Sequence, residues 1–121
     1  FVSDVLDAVK NGGVLHVASN QISTPTSAKE LAKVIIGFIK SDAYGTYHAV
    51  CKGSCSRYEY AKAILELTGH TDHLHVEPFV DESGTRPRYS VLDNLMLRIS
   101  GMEEPKDWKD ALEEYLKEQN L

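Results

Sequence analysis

The sequence predicts a small α/β domain, with α+β as the alternative, because helix-like and strand-like segments alternate along its 121 residues. Apolar residues recur at helical spacing in several segments, and short runs rich in β-branched residues lie between them. Hydrophobic residues make up 42% of the chain and charged residues 26%, which is ordinary for a globular protein. We therefore expect one domain over residues 1–121, with a small sheet and about four helices.

A helix is predicted at the start of the chain, and a strand directly after it. The helix has an apolar stripe formed by Phe1, Val2, Val5, Leu6 and Val9. Asn11 and two following glycines are a typical helix stop, and Val14–Ala18 has the composition of a short buried strand. Because no capping residue precedes the helix, we expect residues 1–13 to be the tail of a helix from a missing N-terminal half.

Two further helices are predicted from capping boxes, in which a serine hydroxyl accepts from a backbone amide and a glutamate carboxylate reaches back. Ser27 and Glu30 begin the first of these helices, which extends to about residue 40. Its apolar face is expected to pack on the core and consists of Leu31, Val34, Ile35, Phe38 and Ile39. Ser56 and Glu59 begin the second, which ends at Gly69.

The remaining elements are shorter. Thr46–Cys51 alternates and is rich in β-branched and aromatic residues, so it is predicted to be a strand. Leu74–Pro78 is predicted to be a short strand, Tyr89–Leu92 an extended segment and Asn94–Ile99 a short helix. Asp107 should cap a last helix, whose apolar stripe consists of Trp108, Ala111, Leu112, Tyr115 and Leu116.

Composition restricts the function. The net charge of −5 argues against a nucleic-acid surface, which needs a basic face. Two cysteines are too few for a disulfide framework and favour a reducing, cytoplasmic setting. No turn carries a Gly-x-Gly-x-x-Gly fingerprint, so the chain itself is not expected to bind a dinucleotide cofactor.

Four segments carry a family resemblance: Asn20–Ser27, Gly45–Val50, Gly53–Ala61 and Arg86–Asn94. In that order they resemble the C-terminal, sugar-nucleotide-binding part of dTDP-4-dehydrorhamnose reductase, an extended short-chain dehydrogenase/reductase, from about Val14 to about Leu116. The resemblance implies a parent enzyme of polysaccharide biosynthesis that reduces the C4 keto group of dTDP-4-dehydro-L-rhamnose to give dTDP-L-rhamnose. It also implies that the NADPH or NADH and the catalytic residues belong to a missing N-terminal Rossmann half, so this chain alone should not turn over.

Arg86 is the strongest candidate for binding the dTDP-sugar substrate. The resemblance implies a substrate with a diphosphate, and a guanidinium fork suits phosphate oxygens in a bidentate way. Ser90 and Leu92 complete the Arg-Pro-x-x-Ser-x-Leu pattern of the family, and Pro87 restricts the backbone beside the arginine. Tyr89 and Ser90 are candidates for contact with the base or the sugar. An exposed loop arginine followed by a strand anchored in the core is the structural alternative.

A second candidate wall of the substrate site consists of Gln21, Thr24, Pro25 and Thr26. In the family, an Asp-Gln pair followed by a Gly-x-Pro-Thr turn lies near the substrate cleft. This chain retains Gln21, Pro25 and Thr26 but has Asn20 in place of the acid and Ser23 in place of the glycine. The alternative is that Thr26 and the serine after it only cap the following helix.

Two other patterns are better explained structurally. Tyr58 and Lys62 match the Tyr-x-x-x-Lys pair of short-chain reductases, but no Rossmann unit precedes them, so we assign no catalytic residue. In the family this segment resembles Trp-Tyr-Glu-Phe-Ala, with Arg57 here in place of an aromatic residue. We assign no metal site to His70, Asp72, His73 and His75, because a closed metal site needs four fixed ligands at better-defined spacing.

Two other functions stay open at the level of the sequence. The chain could belong to another nucleotide-sugar reductase or epimerase, or it could be a non-catalytic regulatory module on the same scaffold. If a partner half is missing, apolar surface should be exposed around Phe1–Val9 and Val14–Val17. We therefore expect self-association through that surface.

Overall fold

The computed structural model describes residues 1–121 and contains five helices and two two-stranded sheets. The helices are α1 (Val2–Asn11), α2 (Ala28–Ile39), α3 (Arg57–Thr68), α4 (Leu95–Ile99) and α5 (Trp108–Glu118). The strands are β1 (Val14–Ala18), β2 (Ile22–Ser23), β3 (Cys55–Ser56) and β4 (His75–Phe79). The α/β prediction is confirmed, with five helices instead of about four and two very small sheets instead of one. None of the helices combines the length and the apolar character needed to cross a membrane.

The two longest strands lie parallel to each other. β1 pairs with β4 from Val14 opposite His75 to Ala18 opposite Phe79. A parallel pair needs a long crossover connection, which the segment containing α2 and α3 supplies. Both strands therefore end at the same edge of the sheet, and the loops that follow them begin side by side.

The second sheet was not predicted, because its strands have only two residues each. β2 and β3 are antiparallel, with Ile22 opposite Ser56. Ile22 also holds a third segment: its N–H donates to the carbonyl of Arg88 at 2.9 Å, and its carbonyl accepts from the N–H of Ser90 at 2.9 Å. These bonds attach the predicted extended segment around Tyr89 to β2.

The core is built around α3. Its capping box is confirmed, because the N–H of Glu59 donates to Ser56 Oγ at 3.0 Å and Glu59 Oε2 accepts from the N–H of Ser56 at 3.0 Å. Gly69 ends the helix in the left-handed conformation, with φ of 73°. Residues from α1, β1, β4 and α5 pack with α3 in one buried cluster: Val5, Val17, Ala61, Ala63, Ile64, Leu65, Leu74, Val76, Leu112 and Leu116.

The predicted packing of α2 is wrong for most of its apolar face. Val34 is buried, whereas three residues of the same face are exposed: Leu31, Ile35 and Ile39. The capping box at its start is only half formed: the N–H of Glu30 donates to Ser27 Oγ at 3.4 Å, but Glu30 Oε2 accepts from the N–H of Lys106 at 3.1 Å. The buried carboxylate thus ties α2 to the segment before α5.

The predicted strand at Thr46–Cys51 is also wrong. Instead of a neighbouring strand, the side chain of Asn94 pairs with Val50: Oδ1 accepts from the N–H at 2.9 Å, and Nδ2 donates to the carbonyl at 2.7 Å. The next amide, that of Cys51, donates to Thr26 Oγ1 at 3.2 Å. Because side chains satisfy this backbone, no ladder forms here.

The exposed apolar surface differs from the predicted one. Val5 and Val17 are buried, and of the large apolar residues in the two predicted segments Val14 has the largest exposed fraction, at 53%. Further exposed apolar side chains belong to α2 and α4, among them Ile35, Ile36, Ile39, Leu95, Met96 and Ile99. Self-association stays a prediction.

Asn94→Asp should destabilise the fold. The substitution keeps an acceptor for the N–H of Val50 but replaces the donor to the Val50 carbonyl with a second carboxylate oxygen. We expect the free energy of unfolding to fall by about 1–3 kcal/mol, measured by urea denaturation at pH 7. Asn120→Asp at the exposed C-terminal end is the matched control. Equal stability of the two variants would contradict this account of the segment.

Glu30→Gln should destabilise the fold in a pH-dependent way. Burial opposes ionisation of Glu30, but its bonds with Lys33 and the Lys106 amide outweigh burial and hold its pKa below the ordinary 4.5. A lowered pKa stabilises the fold above the unfolded-state pKa, and this stabilisation is lost as the pH falls through the folded-state pKa. The difference in unfolding free energy from the wild type should therefore be largest near neutral pH and shrink below 4.5. Glu103→Gln, at an exposed glutamate nearby, should show no such trend.

Candidate functional site

A cleft of about 340 Å³ opens at the edge of the parallel sheet where β1 and β4 end. Its polar lining consists of Asp4, His16, Gln21, Arg57, Asp81 and Arg86. A smaller hollow of about 80 Å³ shares Gln21, Arg57 and Arg86 with the cleft and adds Pro87 and Ser90. Ligands of α/β proteins commonly bind beyond the carboxyl ends of parallel strands, which is where these side chains meet.

Two side-chain amides lock the loop after β1 to the loop after β4. Asn20 Oδ1 accepts from the N–H of Asp81, and Asn20 Nδ2 donates to the Asp81 carbonyl, both at 2.9 Å. The neighbouring Gln21 is buried, and its Nε2 donates to Asp81 Oδ2 at 2.7 Å. Hydrogen bonds from Ser83 and Gln21 and the charge of Arg86 hold the pKa of Asp81 below its ordinary value. The carboxylate thus fixes Gln21 in the wall of the cleft.

The two arginines of the site have no carboxylate partner. Neither Arg57 nor Arg86 forms an ion pair, although ion pairs are frequent elsewhere on the surface. Partial burial and the nearby charge of Arg86 lower the pKa of Arg57. The Arg57 guanidinium lies 4.5 Å from the centre of the Phe1 ring, and the backbone N–H of Arg57 donates to the carbonyl of Gln21 at 3.3 Å. The arrangement can bind an anion beside two cations.

The structure brings only some of the predicted site residues together. Gln21, Arg86 and Ser90 line the two joined hollows, and Tyr89 lies next to Ser90 with 68% of its surface exposed. Tyr89 lines neither hollow. The binding role of Tyr89 stays a prediction.

Pro25 and Thr26 line a different hollow. This hollow of about 180 Å³ has aromatic walls, formed by Tyr60, Trp108 and Tyr115. The hydroxyl of Thr26 donates to the carbonyl of Thr24 at 3.1 Å and accepts from the backbone of the 46–51 segment. Ser27, and not Thr26, caps α2. The binding role of Pro25 and Thr26 stays a prediction.

The loop after β1 does not have the features of a dinucleotide-binding turn. β1 is followed by Ser19, Asn20 and Gln21, and it lacks the glycine-rich turn and the helix start that bind the diphosphate of a dinucleotide. Lys62 Nζ lies 5.5 Å from the centre of the Tyr58 ring, and both residues line a fourth hollow, which shares no residue with the cleft of about 340 Å³. No three His, Cys, Asp or Glu side chains are placed to hold a metal ion.

Sequence reasoning missed Asp81 and treated Arg57 only as a departure from a family pattern. Asp81 lies 60 residues from Gln21, so no local motif could connect them. Arg57 did have a signal: it is the first residue after a confirmed N-cap, which fixes its position at the start of α3.

The comparisons with known proteins cover the whole chain. The family model of the RmlD substrate binding domain matches residues 1–121. The spore coat polysaccharide biosynthesis protein SpsK of Bacillus subtilis (strain 168) is 39% identical over 124 residues, which cover 99% of this chain and 42% of that protein.

Solved structures of two reductases are similar over nearly the whole chain. A dTDP-4-dehydrorhamnose reductase of Clostridium acetobutylicum has a TM-score of 0.92 at 37% identity, covering 100% of this chain and 44% of that one. The dTDP-4-dehydrorhamnose reductase of Bacillus anthracis, in complex with NADP, has a TM-score of 0.90 at 32% identity, covering 97% and 42%. The chain spans about two fifths of the length of the curated relatives it matches.

Proposed function

The chain belongs to the RmlD substrate binding domain family, and from this premise we propose that it is the substrate-binding part of a dTDP-4-dehydrorhamnose reductase. The longer protein would reduce the C4 keto group of dTDP-4-dehydro-L-rhamnose with NADPH or NADH and give dTDP-L-rhamnose for polysaccharide synthesis in the cytoplasm. The family match and the likeness to two reductases, one in complex with NADP, support this proposal.

The observation that carries the proposal is the cleft around Arg86. An arginine without an ion pair lies beside the buried Gln21 and the hydroxyl of Ser90, at the carboxyl edge of a parallel sheet. A guanidinium fork matches the paired oxygens of a phosphoryl group, and the amide and hydroxyl can bind sugar or base oxygens. These are the groups that recognise a nucleoside diphosphate sugar.

The work of this chain is to hold and orient the substrate. Binding energy at the diphosphate fixes the sugar so that its C4 faces the hydride donor, which converts an encounter into an intramolecular step. Tyr89 would contact the part of the ligand that leaves the cleft, and Pro25 and Thr26 would form a second, more distant wall. The cofactor and the proton donor would come from an N-terminal Rossmann half of the longer protein.

No feature of the chain favours the two other functions considered from the sequence. Arg57 and Arg86 line two adjoining hollows that can bind an anionic ligand. A purely regulatory module would not require such a ligand site. Another nucleotide-sugar reductase or epimerase would use the same anion site, and the family and its solved relatives favour the rhamnose reductase instead.

Arg86→Gln should weaken binding of dTDP to this chain. Loss of a charge-assisted hydrogen bond to phosphate corresponds to a roughly ten- to hundredfold weaker affinity. The measurement is a titration of the chain with dTDP, followed by NMR chemical shifts so that millimolar dissociation constants are detected. Arg88→Gln is the matched control, because Arg88 lies in the same loop but lines neither hollow. Equal affinity of the Arg86 variant and the wild type would contradict the proposed site.

The chain alone should not catalyse the reduction. With dTDP-4-dehydro-L-rhamnose and NADPH, we expect NADPH absorbance to decay no faster than in buffer, because the chain has no site that fits the cofactor. The longer protein that contains this sequence is the positive control in the same assay. Formation of dTDP-L-rhamnose by the chain alone would refute the proposal that the cofactor site and the proton donor belong to the N-terminal half of the longer protein.

A further inference from the structure

We propose that Arg57 supplies a second guanidinium to the anion site around Arg86, so that the site prefers a diphosphate to a monophosphate. The inference rests on the proposed function, because it identifies the part of the nucleotide sugar that this site recognises. It assigns a binding role to a residue at which the family resemblance predicts an aromatic side chain.

The geometry puts Arg57 in the same site as Arg86. Both arginines line the cleft of about 340 Å³ and the adjoining hollow of about 80 Å³, and the buried Gln21 lines both as well. An anion that enters the junction of the two hollows therefore has both guanidinium groups and one amide in its walls.

Arg57 is held in place before any ligand arrives. It is the first residue of α3, directly after the capping box, and its backbone N–H is bonded to Gln21 at 3.3 Å. Its guanidinium lies over the Phe1 ring, which in turn stacks on Tyr60 with ring centres 5.7 Å apart. Restraint of a long side chain reduces the conformational entropy that binding must remove.

The charges around the cleft leave the two arginines available for a ligand. Two carboxylates line the cleft, Asp4 and Asp81, and neither forms an ion pair with Arg57 or Arg86; Asp81 instead accepts from Gln21 and Ser83. Burial and the charge of Arg86 lower the pKa of Arg57, which agrees with two cations close enough to repel each other. An anion between them would relieve that repulsion.

Two linked phosphoryl groups suit this pair better than one. Each guanidinium can form a bidentate pair with the oxygens of one phosphoryl group, and a diphosphate supplies two such groups at fixed separation. A monophosphate engages one fork fully and leaves the other cation without a matched partner. The site should therefore distinguish dTDP from dTMP through Arg57.

The test is a titration of the 121-residue chain with dTDP, dTMP and inorganic pyrophosphate, followed by the Nε–Hε resonances of its arginines. We expect dTDP and pyrophosphate to shift Arg57 and Arg86, and dTDP to bind about tenfold or more tightly than dTMP. Arg57→Gln should weaken dTDP binding about tenfold and change dTMP binding by less than about threefold. Arg57→Lys, which keeps the charge but loses the fork, should fall between the wild type and Arg57→Gln.

The outcomes separate this inference from the proposed function. If Arg57→Gln binds dTDP as the wild type does while Arg86→Gln does not, the role of Arg57 is refuted and the nucleotide-sugar site stands. If pyrophosphate shifts both arginines but dTDP shifts neither, the paired anion site stands and the nucleotide-sugar function fails. Equal affinity of the wild-type chain for dTDP and dTMP, or an unshifted Arg57 resonance with every ligand, would also refute the inference. Arg88→Gln should match the wild type throughout.

Discussion

The burial of α3 is the constraint on which the rest of the structure depends. Ala61 and Ile64 have no exposed surface, and α1, β1, β4 and α5 all pack against this helix. Burying one large aliphatic side chain stabilises a fold by about 1.5–3 kcal/mol, so several such residues allow the helix only one position. The capping box then fixes where the helix begins. Arg57 therefore has a fixed position before any ligand binds.

The site is formed where the supporting core meets two loops. β1 and β4 run parallel and end at the same edge, so the loops that follow them are neighbours despite a separation of 60 residues. Asn20 bonds to the backbone of Asp81 and Gln21 to its carboxylate, so the two loops together form one wall of the cleft. The amides thus organise the cleft, and the arginines supply its charge. The buried Gln21 thus contributes to a proposed anion site by holding its two loops together, although it carries no charge.

The sequence predicted secondary structure correctly where interactions within a few residues determine it. The prediction was wrong where a contact with a distant segment determines it. Both serine caps and the left-handed Gly69 were identified correctly, because these signals act within a few residues. Thr46–Cys51 has strand composition, but Asn94, far along the chain, satisfies the Val50 backbone that a ladder would have used. Glu30 has the right spacing for a full capping box, but the amide of Lys106 takes its carboxylate.

The sequence by itself determined the α/β class, the bounds of most helices and the family, and it singled out Gln21, Arg86 and Ser90 as candidate binding residues. Helix periodicity, capping and short motifs are local, so they can be read without knowing how the chain folds. Only the tertiary structure decided that α2 leaves most of its apolar face exposed, that Pro25 and Thr26 lie in a separate hollow, and that Arg57 joins Arg86. Those outcomes depend on which surfaces pack together across long sequence separations, and no local sequence pattern determines that packing.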